Sequence, residues 1–142
     1  MMEGLFHQAV ADRSDYQVSS AGVAASKGAL SNPETAALLK RRNASLKNFN
    51  SRQVTDAVLK QVTHVFAMTH GHLQTLEARF PDHAEKFYLV CEFVDIPDLG
   101  IGTDIPDPIG LGRQAYEEVA VMLEAAIPTI IAYIDQTAKP QP

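Results

Sequence analysis

Three kinds of side chain in this sequence could carry chemistry: the histidines, a single cysteine, and an aspartate that precedes a proline. His70 and His72 are two residues apart, so on a helix they point about 200° away from each other and cannot share a metal ion as an i, i+4 pair would. The other three histidines have no partner motif. The sequence therefore predicts no metal site and no cofactor, and it favours exposed positions at a helix start for His70 and His72.

The single cysteine, Cys91, ends an apolar segment and is followed by Glu92 and Asp95. A catalytic thiol needs its thiolate stabilised by cations or by a helix N-terminus, whereas nearby carboxylates raise the thiol pKa. We therefore expect Cys91 to be a small, semi-buried residue rather than a nucleophile. One cysteine also excludes an intrachain disulfide and any multi-cysteine zinc or iron–sulfur site.

The dipeptide Asp107-Pro108 is the strongest candidate for acid–base chemistry. Proline restricts Asp107 to an extended backbone, which holds a carboxyl group on a loop a few residues before a helix. Such a carboxyl can act as a general acid if its pKa is tuned toward the working pH. An aspartate before proline is also common in turns that have no catalytic role, so both interpretations stay open for this dipeptide alone.

The elements that would position these residues alternate between helices and strands. Apolar spacing predicts helices over residues 2–10, 33–42, 56–61, 69–80 and 114–135, with Pro128 bending or dividing the last one. Thr55 and Thr69 are the predicted caps of the third and fourth helices, and Asn43 is the predicted left-handed stop of the second. Short apolar runs predict buried strands over residues 64–68 and 87–90, and more weakly over residues 16–19. This order predicts an α/β fold, a three-layer doubly wound parallel sheet with helices on both faces. Three strands are few for such a sheet, so it looks incomplete.

Composition restricts the class of protein. The 142 residues are 46% apolar and 20% charged, with a net charge of −5, which is ordinary for one globular domain. We expect that domain to span residues 1–136, with a disordered tail over residues 137–142. The acidic balance argues against a nucleic-acid partner, and the most apolar stretch, residues 119–134, is too short to span a bilayer. With no secretory signal in view, we expect a cytoplasmic protein without a membrane partner.

Five blocks, in order along nearly the whole chain, resemble the low-molecular-weight protein tyrosine phosphatase family in its bacterial branch, which includes protein arginine phosphatases. The blocks are Met2-Glu3-Gly4-Leu5-Phe6, Ser20-Ala21-Gly22, Ser51-Arg52-Gln53-Val54-Thr55, Ala67-Met68-Thr69-His70 and Asp107-Pro108-Ile109-Gly110. The resemblance implies a hydrolase with a four-stranded parallel sheet. It also implies cleavage of a phosphomonoester, or of a phosphoramidate in the arginine branch, through a covalent phosphocysteine.

The resemblance assigns roles to individual residues of this chain. It makes Asp107 the general acid, and Ser20 the serine that hydrogen-bonds the phosphate-binding loop. Phe49 stands where relatives often carry a histidine that supports the same loop, and Ile109 replaces an aromatic residue that lines the substrate cleft.

One departure from the family is large. The family's nucleophile lies in a Cys-x5-Arg-Ser loop directly before the helix that begins here at Met2, and this sequence contains no such loop. The catalytic cysteine, the phosphate-binding arginine and the first, inner strand of the sheet are all expected to be missing. We therefore expect the chain as given to be inactive.

Two hypotheses of different kinds follow, and the sequence leaves open whether the chain is an enzyme. In the first, the chain belongs to a cysteine-dependent phosphatase whose start has been misplaced, and a phosphoprotein becomes its substrate once the missing segment is restored. In the second, it is a natural non-catalytic module for binding or oligomerisation, in which a second copy could complete the sheet. Arsenate reduction, found in distant relatives, needs at least two or three redox cysteines and is the least favoured.

Overall fold

The structure is a computed structural model that describes residues 1–21, 33–44, 53–94, 101–106, 108 and 111–137. The chain divides into two compact units, residues 1–54 with 107–124 and residues 55–106 with 125–142. Three residues singled out above, Phe49, Asp107 and Ile109, lie outside the described residues, as do residues 138–142 of the predicted tail.

The first unit contains two helices at close range, α1 (Met2–Ala9) and α2 (Pro33–Arg41). Gly4 of α1 is buried, and a Cβ atom added to it would lie only 2.7 Å from Cδ1 of Leu39 in α2. The absence of a side chain at Gly4 therefore allows α2 to approach. The predicted end of α2 is confirmed, because Asn43 adopts a left-handed φ of 57° just beyond it.

The second unit contains a short parallel sheet. Its elements are α3 (Asp56–Gln61), β1 (Val65–Ala67), α4 (His70–Arg79), a 3-10 helix (Pro81–Lys86), β2 (Phe87–Leu89) and a second 3-10 helix (Val90–Phe93). Strands β1 and β2 pair in parallel, with Phe66 opposite Tyr88. Threonine hydroxyls cap both helices as predicted: Thr55 accepts from the Val58 N–H and Thr69 from the His72 N–H.

The weak prediction of a strand over residues 16–19 is wrong. These residues are described, but they form no strand ladder with any other described segment. The Tyr16 ring instead lies against the Phe6 ring, with 6.2 Å between the ring centroids. The Arg13 guanidinium lies over the Tyr16 ring, 4.6 Å from its centroid. Because a strand needs a hydrogen-bonded neighbour, residues 16–19 are not a strand of the sheet. The described part of the chain is an α/β fold whose parallel sheet has two strands, β1 and β2.

The last helix, α5 (Gly112–Thr137), contributes residues 112–124 to the first unit and 125–137 to the second. It contains Pro128 and is nevertheless one continuous helix, so the predicted division does not occur. Proline removes a single helical hydrogen bond, and the buried residues on either side, Ala126, Ile127 and Ile130, keep the helix packed. Thr137, the first residue of the predicted tail, is the last residue of this helix. Among the described residues, no helix is long and apolar enough to cross a membrane.

Candidate functional site

Three side chains of metal-binding type meet beyond the carboxyl ends of β1 and β2. His70 is the first residue of α4, directly after β1, and Cys91 follows β2 by two residues. Asp104 comes from the loop over residues 101–106. The ligand atoms of these three side chains all lie within 4.8 Å of one another. The carboxyl edge of a parallel sheet is where α/β proteins generally place their ligands.

Two backbone hydrogen bonds attach the 101–106 loop to this edge. The N–H of Gly102 donates to the carbonyl of Cys91, and the N–H of Ile105 donates to the carbonyl of Met68, both at 3.0 Å. Gly102 has a φ of +94°, which glycine adopts without the steric cost that other residues meet. The loop is therefore fixed on both sides of Asp104.

Asp104 and His70 form a direct hydrogen-bonded pair. The carboxylate oxygen Oδ1 of Asp104 accepts from the backbone N–H of His70 at 2.8 Å and lies 2.6 Å from its ring Nδ1. The hydrogen bond from this backbone N–H, reinforced by the one from the ring, lowers the pKa of the Asp104 carboxyl below its usual value. Asp104 is therefore a carboxylate at neutral pH.

Cys91 has the opposite environment. Cys91 is completely buried, with 0% of its surface exposed to solvent. Burial is the main reason that its thiol pKa is raised, and the negative charge of Asp104 raises it further. A protonated, enclosed thiol is a poor nucleophile. The sequence expectation that Cys91 is not the nucleophile therefore agrees with its surroundings, although its burial is complete rather than partial.

Ser20 lies beside the first turn of α1. Its hydroxyl donates a hydrogen bond of 2.7 Å to Oε1 of Glu3, a residue in that first turn. Oε2 of the same carboxylate lies 3.8 Å from Nε2 of His7. The structure thus brings Ser20 to the start of α1.

Two histidines that lacked any partner motif in the sequence have partners in the structure. His83 is buried, and its Nε2 lies 2.8 Å from Oδ1 of Asp56. His64 lies among aromatic rings, with its Nε2 2.8 Å from the hydroxyl of Thr137, and burial lowers its pKa. Asp56 and His83 are 27 residues apart in sequence, so no local pattern could have paired them.

Comparison with known proteins gives a consistent result. The family model described as low molecular weight phosphotyrosine protein phosphatase matches residues 1–139. A protein-arginine-phosphatase of Geobacillus stearothermophilus is 30% identical over 108 residues, covering 76% of this chain and 72% of that protein. A protein-arginine-phosphatase of Bacillus subtilis strain 168 is 29% identical over 126 residues, covering 87% of this chain and 80% of that protein.

Solved structures agree in fold. The low molecular weight protein tyrosine phosphatase from T. tengcongensis superposes with a TM-score of 0.83 at 28% identity, covering 93% of this chain and 88% of that one. The YwlE arginine phosphatase from Geobacillus stearothermophilus gives a TM-score of 0.82 at 25% identity, covering 99% of this chain and 89% of that one.

Proposed function

This chain belongs to the low molecular weight phosphotyrosine protein phosphatase family. We propose that it forms most of a phosphatase that removes phosphate from arginine side chains of proteins. The observation that carries this choice of substrate is that both curated relatives described above are protein-arginine-phosphatases. A phosphoprotein is accordingly the proposed substrate, and the cytoplasm the proposed place of action.

Asp107 is proposed as the general acid. It stands in the block Asp107-Pro108-Ile109-Gly110, and proline at position 108 restricts its backbone. The loop that precedes it supports this proposal, because the backbone N–H groups of Gly102 and Ile105 hold that loop by hydrogen bonds. A carboxyl group there would protonate the leaving guanidine nitrogen as the N–P bond breaks, and would then activate water for the second step.

Ser20 is proposed to support the phosphate-binding loop. Its hydroxyl already lies at the first turn of α1 through Glu3. A helix N-terminus offers unpaired N–H groups and a favourable dipole to an anion, so a loop leading into α1 would bring phosphate to this end of the helix. The Glu3 carboxylate is the group that Ser20 would exchange for the loop.

The nucleophile is proposed to lie outside the 142 residues. Their only cysteine, Cys91, is fully buried with a raised pKa, and no Cys-x5-Arg-Ser loop occurs in the sequence. We propose the same for the family's inner strand. On this proposal the 142-residue chain alone does not turn over substrate, whereas the chain extended by a strand and a Cys-x5-Arg-Ser loop does.

The test compares the 142-residue chain with the same chain extended by the strand and loop of the Geobacillus relative, each assayed on a phosphoarginine protein and on a phosphotyrosine peptide. We expect activity from the extended protein alone, with phosphoarginine preferred. Asp107→Asn should then lower kcat by about 10²–10⁴ with little change in KM, whereas the same substitution at exposed Asp82 should not.

Three outcomes would count against the proposal. Turnover by the unextended chain would contradict a nucleophile outside the 142 residues, and loss of that turnover in Cys91→Ala would make Cys91 the nucleophile. An unchanged kcat for Asp107→Asn would remove Asp107 from the reaction. An inactive extended protein, together with a stable dimer of the 142-residue chain in sedimentation equilibrium, would favour the non-catalytic oligomerisation module.

A further inference from the structure

The cluster of His70, Cys91 and Asp104 is not used by the proposed reaction. Its three members come from different elements, and each offers a ligand of a different type: an imidazole nitrogen, a thiol sulfur and a carboxylate oxygen. We infer that these residues form a binding site for a zinc-class divalent metal ion, with a fourth coordination position left for water.

The distances are compatible with a metal centre after small movements. Bonds of about 2.0–2.3 Å to a tetrahedral zinc ion place ligand atoms about 3.3–3.6 Å from one another. The ligand atoms here all lie within 4.8 Å of one another, and Nδ1 of His70 lies 2.6 Å from Oδ1 of Asp104. The hydrogen-bonded pair must open by about 0.7–1.0 Å, and a separation at the 4.8 Å limit must close by about 1.2–1.5 Å.

The two exposed ligands, His70 and Asp104, have room to make this movement. The side chains of His70 and Asp104 are 52% and 47% exposed, so they can adjust and also admit an ion from solvent. Cys91 is fully buried, and its backbone carbonyl accepts a hydrogen bond from the N–H of Gly102. The buried member is thus held in place while the two exposed members are free to adjust.

The ligand set selects the class of ion. Thiolate and imidazole ligands favour zinc and other late first-row metals over magnesium and calcium, which prefer oxygen ligands. Binding would displace the proton of the Cys91 thiol and the hydrogen bond between His70 and Asp104, and the released proton would pass to solvent. The ion would then join α4, the second 3-10 helix and the 101–106 loop at one point.

Cobalt(II) is the probe of choice, because a thiolate ligand gives it a charge-transfer band in the near ultraviolet. The 142-residue chain, prepared without a histidine tag and kept reduced, is titrated with cobalt(II) and then with zinc(II). We expect the band to saturate at one cobalt per chain, to disappear as zinc displaces it, and the melting temperature to rise with bound zinc.

Variants assign the ligands. Cys91→Ala should abolish the band, and His70→Gln and Asp104→Asn should each weaken cobalt binding by about tenfold or more. His72→Gln, an exposed histidine two residues further along α4, is the matched control and should leave the titration unchanged.

The absence of a charge-transfer band in the unsubstituted chain would overturn the inference, as would a band that survives Cys91→Ala. Equal binding by His70→Gln and the His72→Gln control would also overturn it. Circular dichroism of each metal-free variant checks its folding, and the exposed His70 variant decides the question if Cys91→Ala does not fold. The titration needs no phosphatase activity, so its failure would leave the proposed function standing.

Discussion

Gly4 allows α1 and α2 to pack closely, and Gly4→Ala tests how much stability depends on that contact. A Cβ atom at position 4 would lie 2.7 Å from Cδ1 and 2.9 Å from Cδ2 of Leu39. Atoms that close must move apart. Leu39 is itself buried, so it has little room to move.

Two opposing effects set the magnitude of the change. Alanine is about 1 kcal/mol more favourable than glycine inside a helix. Overpacking a well-filled core costs about 1–3 kcal/mol. We therefore expect Gly4→Ala to lower the free energy of unfolding by about 0–2 kcal/mol, despite the gain in helix propensity.

A double-mutant cycle separates the contact from the propensity. Leu39→Ala alone should cost about 2–5 kcal/mol through lost burial and the cavity left behind. In the double variant the added methyl group occupies part of that cavity, so the combined loss should be smaller than the sum by about 1–2 kcal/mol. Urea unfolding followed by circular dichroism gives all four free energies.

Gly71→Ala is the matched control, because the nearest atom to an added Cβ there is Oγ1 of Thr69 at an ordinary 3.7 Å. It should stabilise the protein by up to about 1 kcal/mol. The packing argument fails if Gly4→Ala stabilises as much as Gly71→Ala, or if the effects at positions 4 and 39 are additive.

Three further predictions concern single residues. Cys91 should resist iodoacetamide in the folded protein and react fully in urea, as read by intact mass, because its thiol is buried and its pKa is raised; rapid alkylation of the folded protein would contradict its burial. The hydrogen bond from His83 lowers the pKa of Asp56 below its usual 3.8. This hydrogen bond therefore stabilises the folded state at pH values above 3.8, and the stabilisation is lost as acid protonates the carboxylate. Asp56→Asn should therefore unfold at lower urea than the unsubstituted protein at neutral pH, with the difference vanishing in strong acid; a difference independent of pH would refute the linkage. Leu123→Ala, in the core, should cost about 2–5 kcal/mol, whereas Val121→Ala, exposed on the same helix, should stay within about 0.5 kcal/mol.

The parts of the fold that could be predicted from the sequence depend on neighbours along the chain. The threonine caps at Thr55 and Thr69 and the stop at Asn43 are signals of this kind, because capping involves residues within one turn. The strand predicted over residues 16–19 depended instead on a distant pairing partner, and pattern alone could not test whether one was present.

The candidate metal site shows the same limit. The spacing argument excluded a shared ion for His70 and His72, and that argument concerns one helix only. Cys91 and Asp104 reach His70 from segments 21 and 34 residues further along the chain, so no sequence spacing records their proximity. The only local clue was that His70 and Cys91 both follow predicted parallel strands, whose carboxyl ends lie at one edge of a sheet.

Asp104 connects the two proposals. Its carboxylate ties the 101–106 loop to the first residue of α4, and the chain continues from that loop to Asp107 three residues later. A bound metal ion would replace the hydrogen bond from the His70 ring to Asp104 with metal bonds from both side chains, and would add Cys91 as a third attachment. Metal occupancy would therefore stiffen the segment that leads to the proposed general acid. Such an effect would act on the step in which the proposed general acid protonates the leaving group.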